Sequence, residues 1–264
     1  QDLLDCRRVT GLSATTGNPS ITAALTSLDS GAMFTDVSTT RPRLVYQLAK
    51  DSTAMAVVSG SEEAYIDNLL EVVPNRVEGG ATRPMILVDG GGDLEAMDRH
   101  ALVETLYEKR QDLSPNYRVS FFAEDKTQWV FTGQSMRPYE PSLDDAFQGS
   151  TDYYLPPAMS EAGTDVRQGP NHVVVSTGVS DLDNETQQIG RGRQLDKGQV
   201  LLKVFSDRVA NDLGVDGSTS AAALKESYLD RLTSLERDKA PQTLRSSEEA
   251  LVRMAEVRIQ SVKT

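Results

Sequence analysis

Residues 158–205, AMSEAGTDVRQGPNHVVVSTGVSDLDNETQQIGRGRQLDKGQVLLKVF, set a loop, a strand, a helix and another strand in immediate succession, with polar groups at the turns. Val173-Val174-Val175 and Leu201-Leu202-Lys203-Val204-Phe205 read as the two strands. Two pieces of the stretch carry chemistry: Gly163-Thr164-Asp165 in the loop, and Gln187-Gln188-Ile189-Gly190-Arg191-Gly192-Arg193 on and after the helix. Guanidinium donors are planar and permanently charged. Two arginines separated by one glycine, beside a glutamine, therefore suit the spread negative charge of a transferring phosphoryl group, which is the work of an arginine finger.

The pattern Q-x-x-G-R-x-R, here Gln187 to Arg193, resembles motif VI of superfamily-two helicases. The whole stretch resembles the second RecA-like motor domain, the helicase C-terminal domain, of the SecA preprotein translocase family. The order in this chain is Gly163-Thr164-Asp165-Val166, Val173-Val174-Val175, Gln187 to Arg193, Asp196-Lys197-Gly198 and Leu201 to Phe205. It departs from that family in two places. A single Gly192 separates the arginines where SecA proteins usually have two residues, and Asp181, Asp183 and Glu185 precede the glutamine where those proteins are arginine-rich. The shorter G-R-G-R form occurs in RNA-sensing helicases of the same superfamily.

The resemblance implies a division of labour. ATP with Mg²⁺ would be held mainly by an N-terminal RecA-like half outside this sequence. This half would supply Arg193, with Arg191 beside it, to stabilise transition-state charge, and Gln187 to orient a water or hold the neighbouring loop. Gly163, Thr164, Asp165 and Gly190 would face the nucleotide across the cleft. The setting would be cytoplasmic and the outcome translocation of a polypeptide or a nucleic acid. Two alternatives accompany this reading: a degenerate motor kept as an interaction module or scaffold without ATPase activity, and an RNA helicase, which would need a basic stripe along one face.

The 264 residues suit one large or two small domains, and 38% hydrophobic with 25% charged residues is an ordinary globular composition. No apolar run approaches the roughly 20 residues that span a bilayer. Acidic side chains outnumber basic ones by 39 to 27, for a net charge of −12, so long-range electrostatics oppose nucleic acid and anionic membranes unless the basic groups cluster. One cysteine, Cys6, cannot form an internal disulfide, which fits a reducing compartment.

The first residues, QDLLDCRRVTGLSATTG, have no initiator methionine and read as the start of a fragment, with Ser13-Ala14-Thr15 resembling helicase motif III. A short helix is predicted from Ser20 over Ile21, Leu25 and Leu28, then strands at Leu44–Leu48 and Met55–Val58, then a helix with an acidic first turn from Glu62. Met85-Ile86-Leu87-Val88 reads as a buried strand entering Asp89-Gly90-Gly91-Gly92-Asp93, followed by a helix over 94–110 capped by Asp93. No Lys-Ser or Lys-Thr follows these glycines and two aspartates flank them, so this is a sharp turn and not a Walker A loop.

Arg118–Ala123, Trp129–Thr132 and Asp152–Leu155 are predicted strands, with residues 134–150 a loop holding at most one helical turn. Trp129 is expected as a core or interface anchor, and His100 and His172 in exposed or structural roles. In the tail, Leu224, Tyr228, Leu232 and Leu235 form one helical stripe and Leu251, Ala255, Ile259 and Val262 another, a hairpin expected to pack on its own domain. The expected architecture is α/β: a RecA-like three-layer domain with a mainly parallel sheet over 1–213, and a helical appendage over 214–264. Its ligand is expected outside the carboxyl ends of the strands.

Overall fold

The computed structural model of the chain describes residues 54–95, 97–123, 125–160, 166–235 and 238. Eight strands form one sheet: β1 (Ala54–Val58), β2 (Met85–Val88), β3 (Arg118–Phe122), β4 (Gln128–Phe131), β5 (Met136–Pro138), β6 (Thr151–Leu155), β7 (Val173–Thr177) and β8 (Val200–Ser206). Their spatial order is β1-β8-β7-β2-β6-β3-β4-β5. Every pairing from β1 across to β3 is parallel, and β4 and β5 join that edge antiparallel. Helices α1 (Glu62–Arg76), α2 (Arg99–Arg110), α3 (Pro141–Asp144), α4 (Pro157–Ser160), α5 (Leu182–Ile189) and α6 (Asp207–Leu213) connect the strands, and residues 221–235 form a further helix.

Side chains alternate across a strand, so a run such as Met85-Ile86-Leu87-Val88 is apolar throughout because it serves two cores. Met85 and Leu87 pack with Leu69 and Val73 of α1 and Leu102 and Leu106 of α2. Ile86 and Val88 lie in the opposite core with Ile189 of α5, Val209 of α6, and Leu224, Tyr228 and Leu232 of the tail helix. Each such side chain, fully buried, contributes about 1.5–3 kcal/mol of transfer free energy. The result is a three-layer α/β domain with a mainly parallel sheet. The tail stripe packs on its own domain, and Trp129 packs against the first core.

The amino-terminal ends of the central strands are tied by buried polar groups. Asp152 accepts from the Met85 amide (2.8 Å), Arg110 Nε (2.6 Å) and Tyr117 Oη (2.7 Å), and Arg110 Nη2 donates to the Arg83 carbonyl. His172, buried, is in hydrogen-bond contact with Thr151 O (3.2 Å) and with Gly169. Burial pushes its ring pKa below the usual histidine value. The histidine is structural, as its lack of ligand-spaced partners in the sequence suggested.

Three local expectations are corrected. The helix after the glycine turn begins at Arg99 and not at Leu94, and Asp98, not Asp93, caps it by accepting from the amides of His100 and Ala101 (3.0 Å each). The segment 134–150 holds β5, α3 and a 3-10 stretch, Asp145–Ser150. β5 is three residues long and ends in a proline, which gives up a ladder donor and so is tolerated at a sheet edge, and it leaves no alternating pattern to read. Arg118 Nη1 and both Arg137 terminal nitrogens converge on the buried Asp144 carboxylate at 2.7–2.8 Å, which fixes this segment against the sheet. The predicted helix after Ser20, the strand at 44–48, the Ser13-Ala14-Thr15 motif, Cys6 and the second tail helix lie outside the described residues.

Candidate functional site

A helix that follows a parallel strand starts near that strand's carboxyl end and returns along the sheet, so the residues after α5 arrive at the amino ends of β7 and β8. There the helix closes in tight turns: Gly190 N donates to Thr186 O (2.9 Å), Arg191 N to Gln188 O (3.1 Å) and Gly192 N to Ile189 O (2.9 Å). A Cβ on Gly192 would lie 2.9 Å from Val174 Cγ2 and 2.9 Å from Leu195 Cγ. The single residue between the two arginines is therefore glycine because the turn is pressed onto β7. Arg191 is buried at 4% exposure, Arg193 is exposed, and Gln187 is half-buried on the preceding helix.

Gln168, in the crossover from β6 to β7, meets this turn on both sides. Its Nε2 donates to the Arg191 carbonyl (2.7 Å) and its Oε1 accepts from the Arg193 amide (3.2 Å). Gln199 Nε2 donates to the same Oε1 (2.7 Å) and to Gly169 O (3.1 Å), and Gln194 Nε2 donates to Gln168 O (2.9 Å). The crossover that leaves Gly163-Thr164-Asp165 and the arginine turn are thus one hydrogen-bonded unit. Gly163, Thr164 and Asp165 themselves lie outside the described residues. No family model, curated protein or solved structure matches this chain.

The arginine turn stands at the amino-terminal edge of the sheet, away from the carboxyl ends where a ligand of an α/β sheet is expected. The carboxyl edge carries the glycine turn instead. Asp89 there accepts from the amides of Asp93 (3.0 Å) and Leu94 (3.1 Å) and from Thr177 Oγ1 (2.8 Å). Gly90 N donates to Val88 O, Gly91 N to Thr177 Oγ1 and Gly92 N to Asp89 O. All these amides are bonded within the protein, so they form no ring of donors for a phosphate, in agreement with the reading of a structural turn. Gly178, at φ +73°, completes the packing: a Cβ on it would lie 2.3 Å from Gly91 Cα.

Burial pushes the Asp89 carboxyl up to about 6, helped by the Asp93 carboxylate and opposed by the hydrogen bonds from Thr177, Leu94 and Asp93. A carboxyl whose folded pKa exceeds its unfolded value binds its proton more tightly in the fold. Its contribution to stability is complete below about pH 4, the unfolded value, and is lost as pH rises through about 6. Urea midpoints of the native chain, referenced to Asp89→Asn at each pH, are expected to fall between pH 4 and 7. A constant difference across that range would remove the buried proton from the account.

Glu185 of α5 forms an ion pair with Lys203 in which both side chains are fully buried. Lys203 of β8 donates to Glu185 Oε2 (2.8 Å) and Oε1 (3.1 Å) and to Ser176 Oγ (3.2 Å), and both charged side chains are 0% exposed. Tyr228 Oη of the tail helix donates to Glu185 Oε2 (2.6 Å), and the Ser180 amide to Oε1 (2.9 Å). Glu185, an acidic residue ahead of the glutamine in sequence, is thus the partner of Lys203. Next to it Gln188 is wholly buried, donates to Ser180 Oγ (3.2 Å), and lies where a Cβ on Gly90 would stand.

Among the described residues, no group of three or more His, Cys, Asp and Glu side chains is placed to hold a metal ion. No described helix is long and apolar enough to cross a membrane.

Proposed function

We propose that the chain is the second RecA-like half of a SecA-like, ATP-driven motor, acting on a nucleotide bound by a first RecA-like lobe of the same polypeptide. Arg193 is the arginine finger, and Arg191 and Gln187 support it. The observation that carries this reading is the union of the crossover after Gly163-Thr164-Asp165 with the arginine turn through Gln168. Gln168, three residues after the first of the two motifs that the family resemblance places around one nucleotide, is bonded to the turn that carries the second, and Arg193 of that turn is exposed. A finger that reaches a nucleotide on another lobe needs an exposed edge and not a crevice in its own sheet, so the amino-edge position agrees with the role.

The chemistry available here is electrostatic. Guanidinium donors aimed at developing charge lower the barrier without reorganising. The P-loop lysine and the Mg²⁺-binding acids belong, in this reading, to the other lobe, and the glycine turn at Asp89–Asp93 supplies no substitute. A net charge of −12 favours a polypeptide over a nucleic acid as the translocated polymer, and the single cysteine fits a cytoplasmic setting. The burial of Arg191 supports the second reading, a degenerate motor serving as a scaffold, because only one of the two arginines then presents itself at the surface.

The purified 264 residues are expected to hydrolyse no ATP, and turnover is expected once they are joined to the lobe bearing the P-loop. A phosphate-release assay on both preparations decides it. Turnover by the 264 residues alone, or none from the joined halves, would sink the motor reading; the second of these results is the one the scaffold reading predicts.

A further inference from the structure

The strongest unassigned feature among the described residues is Gln168, a buried glutamine whose two amide ends face groups of opposite kind. On one side stand two carbonyls, Arg191 O at 2.7 Å and Val166 O at 3.4 Å, which can only accept. On the other stand the Arg193 amide at 3.2 Å and Gln199 Nε2 at 2.7 Å, which donate. The Arg193 amide is a donor only and the carbonyls are acceptors only, so the orientation of the Gln168 amide is fixed and cannot be inverted. Gln199 is held in turn, its Oε1 accepting from Gln194 N at 3.0 Å.

We propose that Gln168 is the positioning residue of the arginine turn, coupling residues 166–169 of the crossover into β7 to the placement of Arg193. This rests on the arginine-finger reading for its catalytic consequence but not for its structural one. A glutamate at 168 keeps the acceptor toward the Arg193 amide but sets a carboxylate oxygen against two carbonyls. A methionine keeps the length and drops every side-chain bond. Only the amide satisfies both strands of the turn, so displacement of the crossover is passed to the backbone on either side of Gly192, and with it to the direction of the Arg193 side chain. A misplacement of about 1 Å at a reacting group costs about 10²-fold in rate.

The test uses two readouts. In the 264-residue chain, Gln168→Met is expected to speed hydrogen exchange of the Arg193 amide by about tenfold or more, the loss of roughly one net hydrogen bond, while β7 amides keep their protection. In the polypeptide containing both lobes, the same variant is expected to lower kcat for ATP by about 10²-fold with KM unchanged within about twofold. Gln168→Glu is expected to fall between Gln168→Met and the native residue in exchange, because it keeps the Arg193 acceptor, and it serves in both assays should Gln168→Met not fold. Unchanged Arg193 exchange overturns the proposal whatever the ATPase result. Faster exchange with unchanged kcat overturns its catalytic part. If Arg193→Ala also leaves turnover intact, the finger reading has failed and not the pinning of the turn.

Discussion

Arg193→Ala in the polypeptide containing both lobes is expected to cut ATP turnover by about 10³-fold or more, the usual worth of an arginine finger. The size follows from what is removed: a permanent, planar charge aimed at oxygens whose charge grows in the transition state, in a site from which closure has expelled water. Because Arg193 is exposed and its backbone is held by Gln168, truncating its side chain should leave the fold intact. Nucleotide affinity should change far less than kcat, since an interaction made mainly in the transition state leaves ground-state binding alone. Arg193→Lys should recover little, because a point charge on a flexible stem does not reproduce two parallel donors. Steady-state kinetics with a matched thermal melt measures all three. Full turnover in Arg193→Ala would remove the finger.

The second large effect concerns stability. Lys203→Ala or Glu185→Ala is expected to cost about 3–5 kcal/mol, since each leaves an uncompensated charge in a site of 0% exposure. Lys203 loses its carboxylate in one case. In the other, Glu185 keeps Tyr228 Oη and the Ser180 amide but loses its cation. Replacing both partners, with Lys203→Met and Glu185→Gln, should restore most of the loss, because the amide oxygen still accepts from the Ser180 amide, the amide nitrogen can donate to Tyr228 Oη, and no charge remains buried. Urea denaturation of Lys203→Met, Glu185→Gln and the double variant closes the cycle that measures the coupling. Single variants within about 1 kcal/mol of the native protein would show that water reaches this pair, contrary to its burial.

The strands of the double core were legible because burial on both faces leaves uninterrupted apolar runs, as at Met85–Val88 and Val173–Val175. The tail stripe Leu224-Tyr228-Leu232 was legible for the complementary reason, one face only. Lys203 was also within reach: a charged residue inside a run read as buried must have a partner, and Glu185 is where a helix laid back over that strand would bring one. The edge strand β5 was not legible, being three residues with a proline. Gln168 left no mark at all, because its importance lies in two backbone groups that only the tertiary fold brings to it. The edge on which the arginines stand follows from element order alone. The strand-helix-turn-strand order implies that a turn after the helix returns to the amino ends of the strands.

Tyr228 has a consequence for how this protein can be taken apart. Its ring rests on Phe205 (5.6 Å between centroids) while its hydroxyl closes the Glu185 carboxylate. An excised piece stopping at Leu213 would lay Phe205 bare and let solvent into a site designed to be dry. Whoever engineers a smaller version should cut beyond residue 235 and treat the first tail helix as the lid of the box, not its handle.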